Sequence, residues 1–254
     1  MKNIILRCTA LIISLVFVFS LVPHSVAAVV WEDNFDDGNY DDWTVSQGSW
    51  DASNGYLVAE YGSDLLHEIW HNSSQIEGTW SFDLFLVYDS NDYGSMYFDF
   101  IVNGTSEYSF HVSCDEGNPI VALIGGATLE SAGLAIGNQT WTHIDITRNS
   151  TGGMHVYVNA TGPVAEPILS AVDTTHSISE RFEIVSTYSV EGSRVDNIVV
   201  KDTIDIVPPE STTPTTSDPT PTTTDGGGDT TLLIIGAGVA VIAIIAAVVF
   251  MRRR

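Results

Sequence analysis

An antiparallel all-β sandwich is the fold class this sequence predicts, and three observations predict it. Period-two apolar runs recur along residues 29–207, separated by Gly, Asn, Asp and Ser punctuation. No long amphipathic helix lies between them, which argues against a parallel α/β sheet. The segment is also rich in the aromatic and β-branched residues that pack well on a pleated surface.

The runs read as strands over Tyr56 to Glu60, Trp80 to Tyr88, Met96 to Val102, Tyr108 to Val112, Trp141 to Arg148, Met154 to Asn159, Phe182 to Thr187 and Val195 to Lys201. In the second, Trp80, Phe82, Leu84, Leu86 and Tyr88 share one face, as a core stripe should. Gly125-Gly126 is read as a turn between β runs and not as a phosphate loop.

The chain ends carry targeting signals. Lys2 and Arg7, an apolar run from Ala10 to Val22, Pro23 and the small-residue site Val26-Ala27-Ala28 predict a signal peptide over 1–28. Residues 29–207 then form the ectodomain, and 208–231, almost wholly Thr, Pro, Ser, Asp and Gly, a stalk that cannot bury a core. The uninterrupted apolar stretch Leu232 to Phe250 is long enough to span a bilayer as a helix. Arg252, Arg253 and Arg254 in the tail 251–254 place the C-terminus in the cytoplasm. The expected location is therefore the cell membrane, single-pass, with the N-terminal domain outside. The stalk and C-terminus resemble those of archaeal surface proteins.

With leader and tail set aside, Arg148, Arg181, Arg194 and Lys201 face all 32 acidic residues, a net charge of −28. Such a surface repels nucleic acid and excludes it as a partner. Once Cys8 leaves with the signal peptide, Cys114 is alone, so no internal disulfide supports the domain and its stability must come from packing.

Several strings carry a resemblance. Asp33-Asn34-Phe35-Asp36-Asp37-Gly38, then Trp43, Gly48-Ser49-Trp50, Asn54-Gly55 and Leu57, are similar to the first strands of concanavalin A-like jelly rolls, the laminin-G-like and lectin/glucanase group. Trp141 to Arg148, then Gly153 and His155-Val156-Tyr157-Val158-Asn159, resemble that group's hairpin. Val195-Asp196-Asn197-Ile198-Val199-Val200 resembles its closing strand, which in the family pairs with the first. The resemblance implies a two-sheet jelly roll used to bind glycans or proteins. It also implies a structural calcium, with Asp196 at the closing strand and Asp33 and Asp36 near the start.

The group's glucanases set two glutamates and an aspartate on alternate residues of one strand, and no Glu-x-Asp-x-Glu or Glu-x-Asp-x-x-Glu string occurs here. Glu68, Glu77 and Asp83 do not have that spacing, so hydrolysis is not expected and the chain is read as no enzyme. His67-Glu68-Ile69-Trp70-His71 fits the His-Glu-x-x-His pattern of zinc proteases if helical. As a strand, it puts His67, Ile69 and His71 on one face and Glu68 and Trp70 on the other. There is no Gly-x-Ser-x-Gly elbow.

Asn72, Asn103, Asn138, Asn149 and Asn159 each head an Asn-x-Ser/Thr acceptor, which predicts a glycoprotein if the host glycosylates its envelope. The leading expectation is a non-catalytic cell-surface adhesion or carbohydrate-binding protein, with an extracellular glycan or surface protein as partner. Tyr61, Trp70 and Tyr93 are its candidate contacts. The alternative is a structural, glycosylated envelope component without a soluble ligand, and the third reading is the zinc metalloprotease.

Overall fold

The computed structural model describes residues 28–60, 66–88, 93–115, 118–133, 136–187 and 192–209. Among these, β1 (Val29–Asp33), β2 (Thr44–Gln47), β3 (Trp50–Asp51), β4 (Leu57–Ala59), β5 (Leu66–Asn72), β6 (Gly78–Phe85), β7 (Tyr93–Asn103) and β8 (Ser106–Asp115) make up the first half. The second half is β9 (Asn118–Ile124), β10 (Thr128–Gly133), β11 (Trp141–Arg148), β12 (Gly153–Val158), β13 (Leu169–Val172), β14 (Arg181–Thr187) and β15 (Arg194–Lys201). They form two sheets with antiparallel pairing throughout. One runs β13-β12-β11-β6-β15-β4-β3 with β1 also on β15, and the other runs β10-β9-β8-β7-β14-β5-β2.

All eight strands read from period-two patterning are present, within a few residues of their expected ends. The short strands β1, β2, β3 and β13 carry too few residues for an alternation to register. β9 reads apolar on both faces, with Val121, Ala122, Leu123 and Ile124 all buried, so a period-two search passes over it. Gly125-Gly126 does turn the chain from β9 into β10.

The core lies between the sheets. Trp80, Phe82, Leu84 and Leu86 point into it fully buried, as the stripe requires, and Tyr88 packs at its edge. Phe82 of one sheet stacks on Phe98 of the other at 4.1 Å, and Trp80 meets Phe100 at 5.2 Å. Aromatic contacts of this kind add roughly 0.5–1.5 kcal/mol each beyond the area they bury. Cys114 is buried in β8 at the same interface.

The expected hairpin forms as β11 and β12, and the closing strand β15 pairs with β1 from Val29↔Lys201 to Asp33↔Ile198. A register shift between Asp196 and Val199 leaves Asn197 at φ 51°. Asparagine tolerates this left-handed backbone, and the irregularity turns its side chain outward over β6.

No helix among the described residues is long and apolar enough to cross a membrane. The signal peptide, stalk, span and tail expected from the sequence lie almost wholly outside the described residues.

Candidate functional site

Because successive side chains on a strand alternate, the inward apolar residues of the seven-stranded sheet dictate what its outer face carries. On β14, Phe182 and Ile184 point to the core, so Arg181, Glu183 and Val185 point out. On β7, Phe98 and Phe100 point in and Tyr97 and Asp99 point out. On β8, Phe110 and Val112 leave Ser109 and His111 outside, and on β5 Ile69 leaves Glu68 and Trp70 outside.

Register brings these residues together. Glu183 lies directly opposite Asp99 on one side and Trp70 on the other, while Glu68 is one pair along, opposite Val185. Tyr97 is opposite His111, and their rings stack at 4.1 Å, nearly parallel. The face thus gathers three carboxyl groups from three strands.

Glu183 and Asp99 are 1% and 0% exposed, which is unusual for acids and marks the cluster. Burial pushes the Glu183 carboxyl up to about 8, the hydrogen bond that the protonated acid gives to Glu68 and the charges of Asp99 and Glu68 push the same way, and Arg181 opposes them. Arg181 Nε donates to Glu183 Oε2 at 3.0 Å, and its guanidinium lies over the Trp70 ring at 5.8 Å. Ser46 Oγ donates to Glu68 Oε1 at 2.6 Å. His111 is held neutral by burial, its pKa lowered to about 4, and its Nε2 is buried without a hydrogen-bond partner. A buried acid with a raised pKa thus stands among two further carboxyl groups, on the same face as a neutral imidazole, a cluster whose members can exchange protons.

The zinc-protease reading is corrected by β5. Residues 67–71 are strand, with His67 and His71 on the inward face and Glu68 on the outward one. Four residues of strand separate the two imidazoles by ~13 Å along the chain, too far for one tetrahedral ion. His67 Nδ1 bonds the Ser49 backbone, and His71 packs on Trp31 at 4.2 Å.

The expected calcium residues sit at another place, where β1 meets β15. Asp33 Oδ1 accepts from Phe35 N–H at 2.9 Å and its Oδ2 accepts from Trp43 Nε1 at 2.8 Å. Asp36 Oδ2 accepts from Asn34 at 2.7 Å, and Asp196 Oδ1 from Asn197 N–H at 2.7 Å. Asp33 and Asp36 line a cavity of about 550 Å³ with Asp37, Asp41, Asp42 and Asn197. Burial raises the Asp196 carboxyl, and the charges of Asp83, Asp36 and Asp33 raise it further. Among the described residues no three His, Cys, Asp or Glu side chains converge as a metal-binding set, so the side chains alone do not complete a calcium shell.

Of the candidate contacts, Trp70 is half-buried beside Glu183, Tyr93 begins β7, and Tyr61 lies outside the described residues. Asn72, Asn103, Asn138 and Asn159 are exposed, and Asn149 is half-buried. The Asn138 amide is engaged at both ends with the Tyr88 backbone, whereas Asn149 Oδ1 accepts from Thr151 and Gly153. Sequence reasoning missed Glu183 and Asp99. Their one signal is an acid standing alone among large apolar residues, as in Phe182-Glu183-Ile184 and Phe98-Asp99-Phe100.

No family model matches the chain, and no curated protein matches it in sequence. Solved structures do match in fold. The chain is similar to the CBM2 module of the evolved Dit of Lactobacillus casei BL23 phage J-1, with a TM-score of 0.53 and 8% identity over 69% of this chain and 95% of that one. It is similar to a beta-1,3-glucanase from Mycobacterium marinum, with a TM-score of 0.51 and 12% identity over 68% and 98%. A glycosyl hydrolase family 16 protein from Mycobacterium smegmatis gives a TM-score of 0.51 and 13% identity over 68% and 100%.

These neighbours overturn the expectation of a non-catalytic adhesion or glycan-binding protein, together with its envelope alternative and the reading as no enzyme: the sandwich is also that of glucan-cleaving enzymes. The step from a missing one-strand carboxylate string to no catalysis fails for a physical reason. Here neighbouring strands, not alternate residues of one strand, bring the carboxyl groups together. At these identities the likeness establishes the fold alone: the described domain is a two-sheet antiparallel sandwich of the kind these structures have.

Proposed function

We propose that this chain is a carbohydrate-active enzyme that hydrolyses glycosidic bonds of a β-glucan-type polysaccharide on the outer face of its seven-stranded sheet. The observation that carries this reading is the Glu183 carboxyl, buried and still protonated near neutral pH beside Asp99 and Glu68. Glu183 gives its proton to the departing glycosidic oxygen while the Asp99 carboxylate attacks the anomeric carbon, forming a glycosyl ester. Water then cleaves the ester, and Glu183 takes back a proton.

Residues directly opposite on antiparallel strands have Cβ atoms ~5 Å apart. That favours the close carboxyl pair of a double displacement over the wider pair of a single one. Glu68 and Arg181 position Glu183, Trp70 offers a ring for a sugar to stack on, and His111 Nε2 offers a bond to a sugar hydroxyl. The fold likeness to glucanases supports the substrate class.

The test is release of reducing sugar from soluble β-1,3-glucan and mixed-linkage glucan by the full-length chain. Glu183→Gln and Asp99→Asn are each expected to lower kcat at least 100-fold with melting temperature retained. Activity of the parent is expected to fall as pH rises through about 8, where the acid loses its proton. Hydrolysis that survives in both variants, or no release from either glucan, rejects the reading.

Secretion through the signal peptide and display on the stalk above one membrane span remain part of this proposal, supported by the sequence signals at both ends. Calcium at Asp33, Asp36 and Asp196 also remains part of it, supported by the nearby acids, whose charges add to burial in raising Asp196, and needing backbone carbonyls to complete the shell. A melting temperature that rises in calcium and falls with chelator is the expected outcome, and an unchanged one removes the site.

A further inference from the structure

The eight-stranded sheet carries a second organised surface on its own outer face, remote in the topology from Glu183. There β11 and β6 pair as Trp141↔Phe85, His143↔Asp83 and Asp145↔Ser81, and these six side chains form one strip. At one end Trp141 is 40% exposed, with its ring against Phe85 at 5.4 Å and Tyr56 at 6.3 Å. Arg194 is held between Tyr56 and Phe85, with its guanidinium 4.5 and 4.7 Å from the two rings. The aromatic platform is therefore fixed from below and open above.

One residue pair along the strip, ~7 Å away, the polar groups are equally fixed. Asp83 receives His143 Nδ1 at 2.6 Å and Asn197 Nδ2 at 2.9 Å. His143 Nε2 reaches Asp145 at 3.3 Å, and Ser81 Oγ donates to Asp145 at 2.5 Å. Ser81, His143, Asp145 and Asn197 open into a cavity of about 590 Å³ that Lys201 also lines, and Asp83 stands beside it, bonded to His143 and Asn197. That volume suits a small ligand.

The chemistry selects the occupant. In the cavity an anion meets Asp145 and Glu32; a metal finds no converging set among the described residues, and a cation meets His143 and Lys201. A neutral ring with one apolar face and several hydroxyls matches both halves of the strip, stacking on the indole and bonding the carboxyl, amide and imidazole groups.

We propose that the outer face of the eight-stranded sheet, with Trp141 as platform and Asp83, His143 and Asn197 as polar contacts, is an accessory binding surface for a neutral polysaccharide. It is separate from the face where the bond is cut. It would hold a polymer to the domain while the other sheet acts on a chain end or a neighbouring strand, and it stands or falls independently of the hydrolytic reading.

Its test is depletion of the full-length chain from solution by insoluble β-1,3-glucan particles and by crystalline cellulose, with melting temperature measured alongside. Retention on at least one polymer is expected, weakened tenfold or more in Trp141→Ala and largely restored in Trp141→Phe, with melting temperatures within a few degrees of the parent. Equal retention of parent and Trp141→Ala, or no retention on either polymer, overturns the proposal. So does a Trp141→Phe variant as weak as Trp141→Ala, because an aromatic platform must tolerate another ring. Retention without hydrolysis leaves this surface standing and rejects the catalytic reading; hydrolysis without retention does the reverse.

Discussion

At the scale of single residues, His143 and its two acidic partners, Asp145 and Asp83, show that protonation has measurable consequences. His143 is raised to about 9, first by its bond to Asp145, with the Asp83 bond adding and burial opposing. Its stabilising effect is complete below the ordinary histidine range near 6.5 and is lost as pH rises through about 9. Replacing it by alanine leaves Asp145, 4% exposed, with Ser81 as its remaining side-chain partner. We expect His143→Ala to cost about 1–3 kcal/mol, read as a lower urea midpoint at unchanged slope. Little of this was legible beforehand. His143 and Asp145 were visible as members of a strand, but the partner Asp83 lies sixty residues earlier, and only the β6–β11 register makes the three a unit.

At the scale of elements, β5 and β6 show how local pattern and tertiary context divide the work. The apolar alternation of 80–88 was readable as a strand because one face is wholly buried. The string 67–71 fits a helical zinc motif and a strand equally well, and its pairing with β14 on one side and β2 on the other decides for strand. Residues 67–71 are therefore not expected to hold zinc, and elemental analysis of the purified chain should give the same zinc content for the parent and for His67→Ala. Gly78 opens β6 at φ 124°, and a Cβ there would meet the Lys201 carbonyl oxygen at 2.1 Å. Backbone on the neighbouring strand cannot move aside, so Gly78→Ala is expected to lower stability by at least about 1–3 kcal/mol. A melting temperature equal to the parent's would show that β6 and β15 can separate there without cost.

At the scale of the whole molecule, charge and topology act together. Glu183, raised to about 8, favours the folded state most strongly below 4.5 and loses that effect as pH rises to 8. His111, lowered to about 4, works the other way, favouring the folded state above 6.5 and losing that effect as pH falls to 4. The two cancel between 4.5 and 6.5; above 6.5, Glu183 and His143 lose stability together. Melting temperature is expected to stay level from pH 4.5 to 6.5 and then to fall toward pH 9, and a maximum at pH 8 or above would contradict the assignments. The chain's net charge of −23 at pH 7 adds self-repulsion that salt screens, so the fall should be shallower in high salt. By itself the sequence determined the all-β class, the core stripe and the acidic surface, because alternation and composition are local properties that folding cannot change. Which strands lie side by side was decided only in three dimensions. Register brings Asp99, Glu183 and Glu68 onto one face and Trp141, His143 and Asp83 onto another, since residues far apart in the chain meet only when strands pair.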